Sequence, residues 1–280
     1  MKNKIQKEKY NYLKTTKLTI LIFDSGVGGL SIYRDVKELL PDINYIYCFD
    51  NECFPYGEKS AKLIIERIIS FIEQVQKKYV LSIAIIACNT ASTVSLPALR
   101  AHFRFPIIGV VPAIKTATKL TRNGIIALLA TKATISGIYT RNLIDRFGIN
   151  CKIKMIALSE LVELAEKKLH GQIISKEVLM QILKPFLKIK ESPDTIVLGC
   201  THFPLLSEEL REVLVNGTKL IDSGVAIARR AVWLINNHQN LILTNNKKKI
   251  AFCTKIDLKT KNLIPVLINE NFNQLEKIYI

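Results

Sequence analysis

Histidine is scarce in this sequence, with four in 280 residues, and no Cys-x-x-Cys pair occurs. Structural zinc sites draw on those residues at short spacings, so no metal is expected. No apolar run approaches the length needed to span a bilayer. The first one, Leu18–Phe23, is strand-sized and runs into Asp24, unlike the core of a signal peptide. The six cysteines (Cys48, Cys53, Cys88, Cys151, Cys200, Cys253) are therefore expected to be free thiols in the reducing cytoplasm. Acidic residues are the minority, 24 against 40 Lys+Arg, for a net charge of +16. Such a balance draws a protein toward phosphate backbones. The lysines are scattered, however: Lys2, Lys4, Lys7, Lys9, Lys14 and Lys17 at the start, and Lys247, Lys248 and Lys249 near the end. No basic helix interleaved with aromatics and no zinc-finger or RRM pattern accompanies them. The charge reads as a solvated surface that would help attract an acidic substrate, with no obligate nucleic acid and no membrane partner.

What is present is ordinary for a globular chain: 49% hydrophobic and 23% charged residues. After a polar leader, 1–17, short apolar runs alternate with longer amphipathic ones. Leu18–Phe23, Tyr45–Phe49, Ile83–Ala87, Ile107–Val111, Ile125–Leu129, Thr195–Leu198 and Lys219–Ile221 read as buried strands. Ala61–Lys78 reads as a helix, with Leu63, Ile64, Ile68, Ile72 and Val75 on one face. Strand–helix alternation predicts an α/β fold with parallel sheets flanked by helices, and ligands beyond the carboxyl ends of the strands. A weak internal echo is also visible. Ile83–Cys88-Asn89-Thr90 resembles Ile196–Cys200-Thr201-His202, and Phe23-Asp24-Ser25-Gly26 resembles Ile221-Asp222-Ser223-Gly224. Two similar halves facing each other across a cleft would produce it.

Cys88 and Cys200 differ from the other cysteines because each leaves a strand straight into residues that favour helix N-caps. A sulfur there lies near free backbone N–H groups, which lower a thiol pKa toward neutrality. Cys48, Cys151 and Cys253 read as small core residues. Cys53 adjoins a Phe-Pro-Tyr-Gly turn and is left open. Two thiols suit two-base racemisation, in which one group removes an α-proton and the other returns a proton to the opposite face. The free thiol pKa of about 8.5 lets modest tuning reach either protonation state. The sulfurs should then lie on the order of 6–7 Å apart, with the reacting carbon between them. Asp24 ends a strand ahead of Ser25-Gly26-Val27-Gly28-Gly29, which reads either as an N-cap with a phosphate-type loop or as a carboxylate assisting a base. The spacing lacks the dinucleotide-binding pattern. His202, two residues from Cys200, could pair with that thiol.

Six blocks carry a closer likeness. Phe23-Asp24-Ser25-Gly26-Val27-Gly28-Gly29-Leu30-Ser31, Phe54-Pro55-Tyr56-Gly57-Glu58-Lys59-Ser60, Ala87-Cys88-Asn89-Thr90-Ala91-Ser92, Gly109-Val110-Val111-Pro112-Ala113-Ile114, Leu198-Gly199-Cys200-Thr201-His202-Phe203-Pro204 and Asp222-Ser223-Gly224 resemble the glutamate racemases in the same order along the chain. The Cys-Asn-Thr and Cys-Thr-His blocks also occur in aspartate racemase relatives, whereas the Pro-Tyr-Gly-Glu-Lys-Ser block points to glutamate. The resemblance implies two pseudosymmetric α/β lobes, 18–111 plus 226–280 and 112–225, with the active site in the cleft between them. It implies Cys88 as the thiol acting on D-glutamate and Cys200 as the one acting on L-glutamate, assisted by Asp24 and His202. Glu166, in the less distinctive Glu160–Glu166 stretch, is either a further helper or a solvated helix face. Implied ligand contacts are Asp24, Ser25, Tyr56, Gly57, Asn89, Thr90, Thr201 and His202, with no cofactor, neither pyridoxal phosphate nor metal. The polar leader resembles a subgroup, typical of Gram-negative enteric relatives, that is activated by UDP-N-acetylmuramoyl-L-alanine, although its lysine-rich composition departs from that subgroup. A monomer or a homodimer fits equally.

Two rival readings stand beside this one. A Cys-His hydrolase could use Cys200 and His202, but residues two apart on a strand end should point in different directions and Cys88 would have no task. A basic interaction module without catalysis would leave the cysteines incidental.

Overall fold

The computed structural model of the chain describes residues 18–237 and 248–280; the polar leader and Lys247 lie outside the described residues. Among the described residues, ten strands form two sheets. The first comprises β1 (Thr19–Asp24), β2 (Asn44–Phe49), β3 (Ile83–Ile86), β4 (Ile107–Gly109), β9 (Lys249–Cys253) and β10 (Gln274–Lys277), in the order β10-β9-β2-β1-β3-β4. The second comprises β5 (Ile125–Ala130), β6 (Lys152–Ala157), β7 (Thr195–Leu198) and β8 (Lys219–Ile221), in the order β6-β5-β7-β8. Every pairing is parallel. The fold is thus α/β, with two parallel sheets flanked by helices, as the alternation predicts. The helices are α1 (Leu30–Leu39), α2 (Ala61–Gln76), α3 (Asn89–His102), α4 (Ile114–Leu120), α5 (Lys132–Ser136), α6 (Ile138–Phe147), α7 (Glu160–Leu169), α8 (Lys176–Leu187), α9 (Ser207–Val213), α10 (Gly224–Asn237), α11 (Leu258–Asn262) and α12 (Ile264–Asn269). None of them is long and apolar enough to cross a membrane.

Strands covered on both faces must be apolar throughout, and β1, β2, β3 and β7 are buried at every position. Side chains alternate between two cores. Ile20 and Ile22 join Tyr47 and Ile85 on one face of the first sheet, while Leu21 and Phe23 join Ile86 and Phe71 on the other. Helix α2 starts where the Ser60 hydroxyl accepts from the Leu63 amide, a side-chain N-cap. Its buried stripe is Ile64, Ile68, Phe71, Ile72 and Val75; Leu63, expected on that stripe, is exposed. Three strands were not anticipated. Strands β6 and β10 are edges, so Lys-Ile-Lys-Met and Gln-Leu-Glu-Lys keep polar residues in water, and β9 opens on the lysine cluster.

The two sheets share a topology. Order β2-β1-β3-β4 matches β6-β5-β7-β8, so β3, which leads to Cys88, corresponds to β7, which leads to Cys200. The cysteine echo is therefore structural. The Asp-Ser-Gly echo is not: Asp24 ends β1, whereas Asp222 follows β8, the counterpart of β4. Ser223 has a different task. Its hydroxyl donates to the Val111 carbonyl at 2.6 Å, joining the two points where the chain passes between the sheets.

Asp50, directly after β2, is a buried hub. It accepts from Arg67 Nε at 2.5 Å and Nη2 at 2.7 Å, from the Tyr56 hydroxyl at 2.7 Å and from Thr254 Oγ1 at 2.8 Å. These bonds fix the loop that carries Tyr56 and Gly57. Removing one partner of a buried pair strands the other without its counter-charge. Asp50→Ala should lower the unfolding free energy by about 3 kcal/mol, measured by urea denaturation.

Candidate active site

Parallel sheets present their functional residues at the carboxyl ends of their strands. Those ends carry Asp24 as the last residue of β1 with Ser25 after it, Cys88 after β3, Thr131 after β5 and Cys200 after β7. Asp24 is fully buried. The Ser25 amide donates to its Oδ1 and the Gly29 amide to its Oδ2, both at 2.7 Å, so the carboxylate closes its own loop. Burial still raises its pKa; His202 and the two amides oppose that rise. The Ser25 hydroxyl lies 3.4 Å from Asp24 Oδ1 and 3.7 Å from Cys88 Sγ, linking carboxylate to sulfur. Cys88 is itself the N-cap of α3, at φ −140° and ψ 119°, with Asn89 and Thr90 in the first helical turn rather than at the cap. Burial, then the Asp24 carboxylate, push the Cys88 thiol well above its ordinary pKa, against the pull of the Ala91 amide. One loop joins the settings of the two sulfurs: the Ser25 hydroxyl lies 3.7 Å from Cys88 Sγ, and Gly28 packs against His202, which lies beside Cys200.

The other sulfur has a different setting. Cys200 Sγ lies 3.9 Å from His202 Nδ1, and His202 Nε2 lies 2.7 Å from Glu166 Oε1. The expectation that Cys200 and His202 point apart fails, because the chain leaves the strand at once. His202 has helical φ −73° and ψ −31° ahead of a short 3-10 turn, Phe203–Leu206, with Pro204 in its opening positions. Burial alone would depress the pKa of His202, but Cys200 and Glu166 outweigh it and raise it well above 6.5. As an imidazolium the ring donates from both nitrogens, one to the sulfur and one to the carboxylate. Glu166 is partly buried, and burial tends to raise its pKa. Its bonds from His202 and the Val27 amide prevail, leaving it below 4.5. Helix α7 therefore turns Glu166 inward onto His202; the solvated-face alternative does not hold.

The glycine loop after Asp24 owes its composition to close approach. A Cβ at Gly28 would come within 2.4 Å of His202 Nδ1, and one at Gly26 within 2.9 Å of the Phe54 ring and 3.1 Å of Glu166 Oε1. Neither residue has a positive φ. The phosphate-loop alternative has no support from this geometry.

The remaining predicted contacts are placed unevenly. Asn89 is buried, and its Oδ1 has no hydrogen-bond partner. Thr90 Oγ1 lies 3.2 Å from Thr131 Oγ1 and 3.3 Å from Thr134 Oγ1, a hydroxyl cluster between the two sheets' strand ends. Thr201 is buried, and its carbonyl accepts from the Ser31 hydroxyl at 2.9 Å. Gly57 lies against Thr131. Tyr56 is buried, but its hydroxyl is taken by Asp50. Thr131 and Thr134 escaped the sequence reading. The signal was available: Thr131 follows β5 as Ser25 follows β1, and those strands correspond.

The arrangement gives two thiols unequal environments, one served by a carboxylate through a hydroxyl, the other by an imidazolium–carboxylate pair. The family profile described as Asp/Glu/Hydantoin racemase matches residues 20–231. The glutamate racemase of Photorhabdus laumondii is 57% identical over 265 residues, covering 95% of this chain and 92% of the relative. The crystal structure of Escherichia coli glutamate racemase, in complex with L-glutamate and the activator UDP-MurNAc-ala, superposes with a TM-score of 0.90 at 54% identity, covering 94% of this chain and 98% of that one. The glutamate racemase isoform RacE1 of Bacillus anthracis gives a TM-score of 0.80 at 27% identity, covering 95% and 98%.

Gly28 tests the His202 geometry without deleting a polar group. Gly28→Ala should fold and yet push the imidazole off its partners. Followed by nitrogen NMR, wild-type His202 should stay protonated well above pH 6.5, and in Gly28→Ala its titration should fall back toward that value. The sign follows from linkage: a raised histidine pKa stabilises the fold below 6.5 and loses that contribution as pH rises through the folded value.

Proposed function

Because the chain belongs to the Asp/Glu/Hydantoin racemase family, we propose that it interconverts L- and D-glutamate by two-thiol acid/base chemistry without a cofactor. The observation that carries this reading is the pair of cysteines, Cys88 and Cys200, at the ends of corresponding strands, each with its own polar assistant. The two sheets with their helices act as lobes, dividing at 111/112 and 225/226, and glutamate lies between them. The unpartnered Asn89 Oδ1 suits the ammonium, and the Thr90–Thr131–Thr134 hydroxyls suit a carboxylate. Ser25, Tyr56, Gly57 and Thr201 complete the wall.

With L-glutamate bound, Cys200 as thiolate takes the α-proton, and the protonated His202 balances the thiolate's charge before the transfer. Burial and Asp24 hold Cys88 as the thiol, which is the form that must deliver a proton to the opposite face. Delivery leaves Cys88 as thiolate and Cys200 as thiol, the state that accepts D-glutamate. Asp24, through Ser25, can then take part in returning a proton to Cys88. Developing negative charge on the α-carboxylate is met by hydroxyls and backbone N–H groups at the strand ends. The Cys-His hydrolase reading gains the Cys200–His202 contact but leaves Cys88 and Asp24 without a task. D-glutamate so made in the cytoplasm would serve peptidoglycan synthesis.

The activator named for the Escherichia coli structure would find complementary chemistry in one cavity of this chain. A cavity of about 700 Å³ is lined by Arg100, Arg104 and Arg230 together with Phe103 and Phe105, and no carboxylate lines it. Guanidinium groups suit a diphosphate and aromatic rings a uracil. The cavity borders β4 and α10, next to where the chain passes between the sheets. UDP-N-acetylmuramoyl-L-alanine bound there would act on the lobes' approach to each other.

Purified protein incubated with L-glutamate in deuterium oxide, without cofactor, should yield D-glutamate deuterated at the α-carbon. Folded, reduced protein that gives no exchange would direct the search to aspartate. The muramoyl precursor should raise turnover in wild type, and Arg104→Ala with Arg230→Ala should blunt that response while sparing basal turnover.

A further inference from the structure

One buried hydroxyl near the site has no part in the proton transfers of the two sulfurs. Tyr47, on β2, is fully buried with its ring among Phe49 and Phe272. Its hydroxyl emerges from the core beneath the Asp24–Gly29 loop and donates to the Gly26 carbonyl at 3.1 Å. A Cβ at Gly29 would sit 3.1 Å from the same hydroxyl, so Tyr47 meets the loop at Gly26 and at Gly29. The peptide whose carbonyl it holds is the Gly26–Val27 unit, and Glu166 lies against it: a Cβ at Gly26 would sit 3.1 Å from Glu166 Oε1, and the Val27 amide helps to hold the Glu166 carboxyl below its ordinary pKa. Glu166 in turn binds His202, which binds Cys200. A planar peptide group cannot rotate its carbonyl without rotating its N–H. Fixing the Gly26 oxygen therefore aims the Val27 amide, and hydrogen bonds at the two ends of one amide polarise each other.

We propose that Tyr47 is a positioning residue for the Cys200 half of the site, acting through the Gly26–Val27 peptide on Glu166 and thence on His202. The inference rests on the racemase reading of the site. Burial, and then the neighbouring Asp24 and Glu166 carboxylates, raise the pKa of Tyr47 well above its ordinary value, so its hydroxyl remains a donor across the working range. Tyr47→Phe removes that donor and keeps the ring. The Val27 amide then loosens from Glu166, and a carboxylate that loses an N–H donor becomes more basic.

The test is a double-mutant cycle in kcat/KM for L-glutamate across pH, using wild type, Tyr47→Phe, Glu166→Gln and the double variant. Enantiomers have equal free energy in water, so kcat/KM for D-glutamate must change by the same factor and one direction suffices. Tyr47→Phe should lower kcat/KM about tenfold and move the acid limb to higher pH, while costing less than about twofold when Glu166 is already Gln. A hydroxyl that merely supports the fold would cost the same factor in both backgrounds and leave the acid limb in place, and that result overturns the proposal. If wild type does not racemise glutamate, the functional reading fails, but the positioning claim can still be read by carbon NMR of the Glu166 carboxyl. Its pKa should be higher in Tyr47→Phe than in wild type; equal values would refute the positioning role.

Discussion

Two amide hydrogen bonds to one buried carboxylate hold this site together. Asp24 carries the Ser25 amide on one oxygen and the Gly29 amide on the other. Between those anchors the chain has few ways to run. It presents the Ser25 hydroxyl to Cys88, the Val27 amide to Glu166 and the bare face of Gly28 to His202. A single short loop thus touches the assistants of both sulfurs. Loss of the Asp24 anchor would release both halves at once, which is why a fully buried carboxylate is tolerated despite its desolvation cost.

Equivalent topology supplies two sulfurs, and unequal local chemistry distinguishes them. Strands β3 and β7 correspond, and each delivers its cysteine to the carboxyl end of its sheet. Beyond the cysteines the two chain paths diverge. After Cys88 a regular helix starts at once. After Cys200 the chain turns sharply, bringing His202 back against the sulfur with Glu166 behind it. Burial and a carboxylate favour the thiol on one side, while on the other the sulfur faces an imidazolium. A proton donor and a proton acceptor must differ in this way for racemisation to start.

Much of this was legible in the sequence because the relevant signals are local. Buried parallel strands are short apolar runs, and β1, β3, β5 and β7 could be read as such, together with the cysteines that end two of them. Edge strands β6 and β10 carry mixed residues for the water beside them and left no such mark. The site's long-range features were harder to see. That Glu166 faces His202, that Asp50 claims the Tyr56 hydroxyl, and that Thr131 meets Thr90 all depend on packing between distant elements. The glycines after Asp24 were visible, but their cause was not: the close approach of His202 and Phe54 exists only in the folded chain. The Asp222-Ser223-Gly224 echo misled because three residues can match where the topology does not.

The central claim is that both sulfurs are chemically required. The most direct measurement is racemisation of glutamate by Cys88→Ser and by Cys200→Ser, each confirmed as folded. Replacing either thiol by a hydroxyl removes an acid/base group of suitable pKa, and such groups contribute about 10²–10⁴ in rate. Each variant should lose at least about a hundredfold in turnover with either enantiomer. Normal racemisation by either one would contradict the two-thiol account.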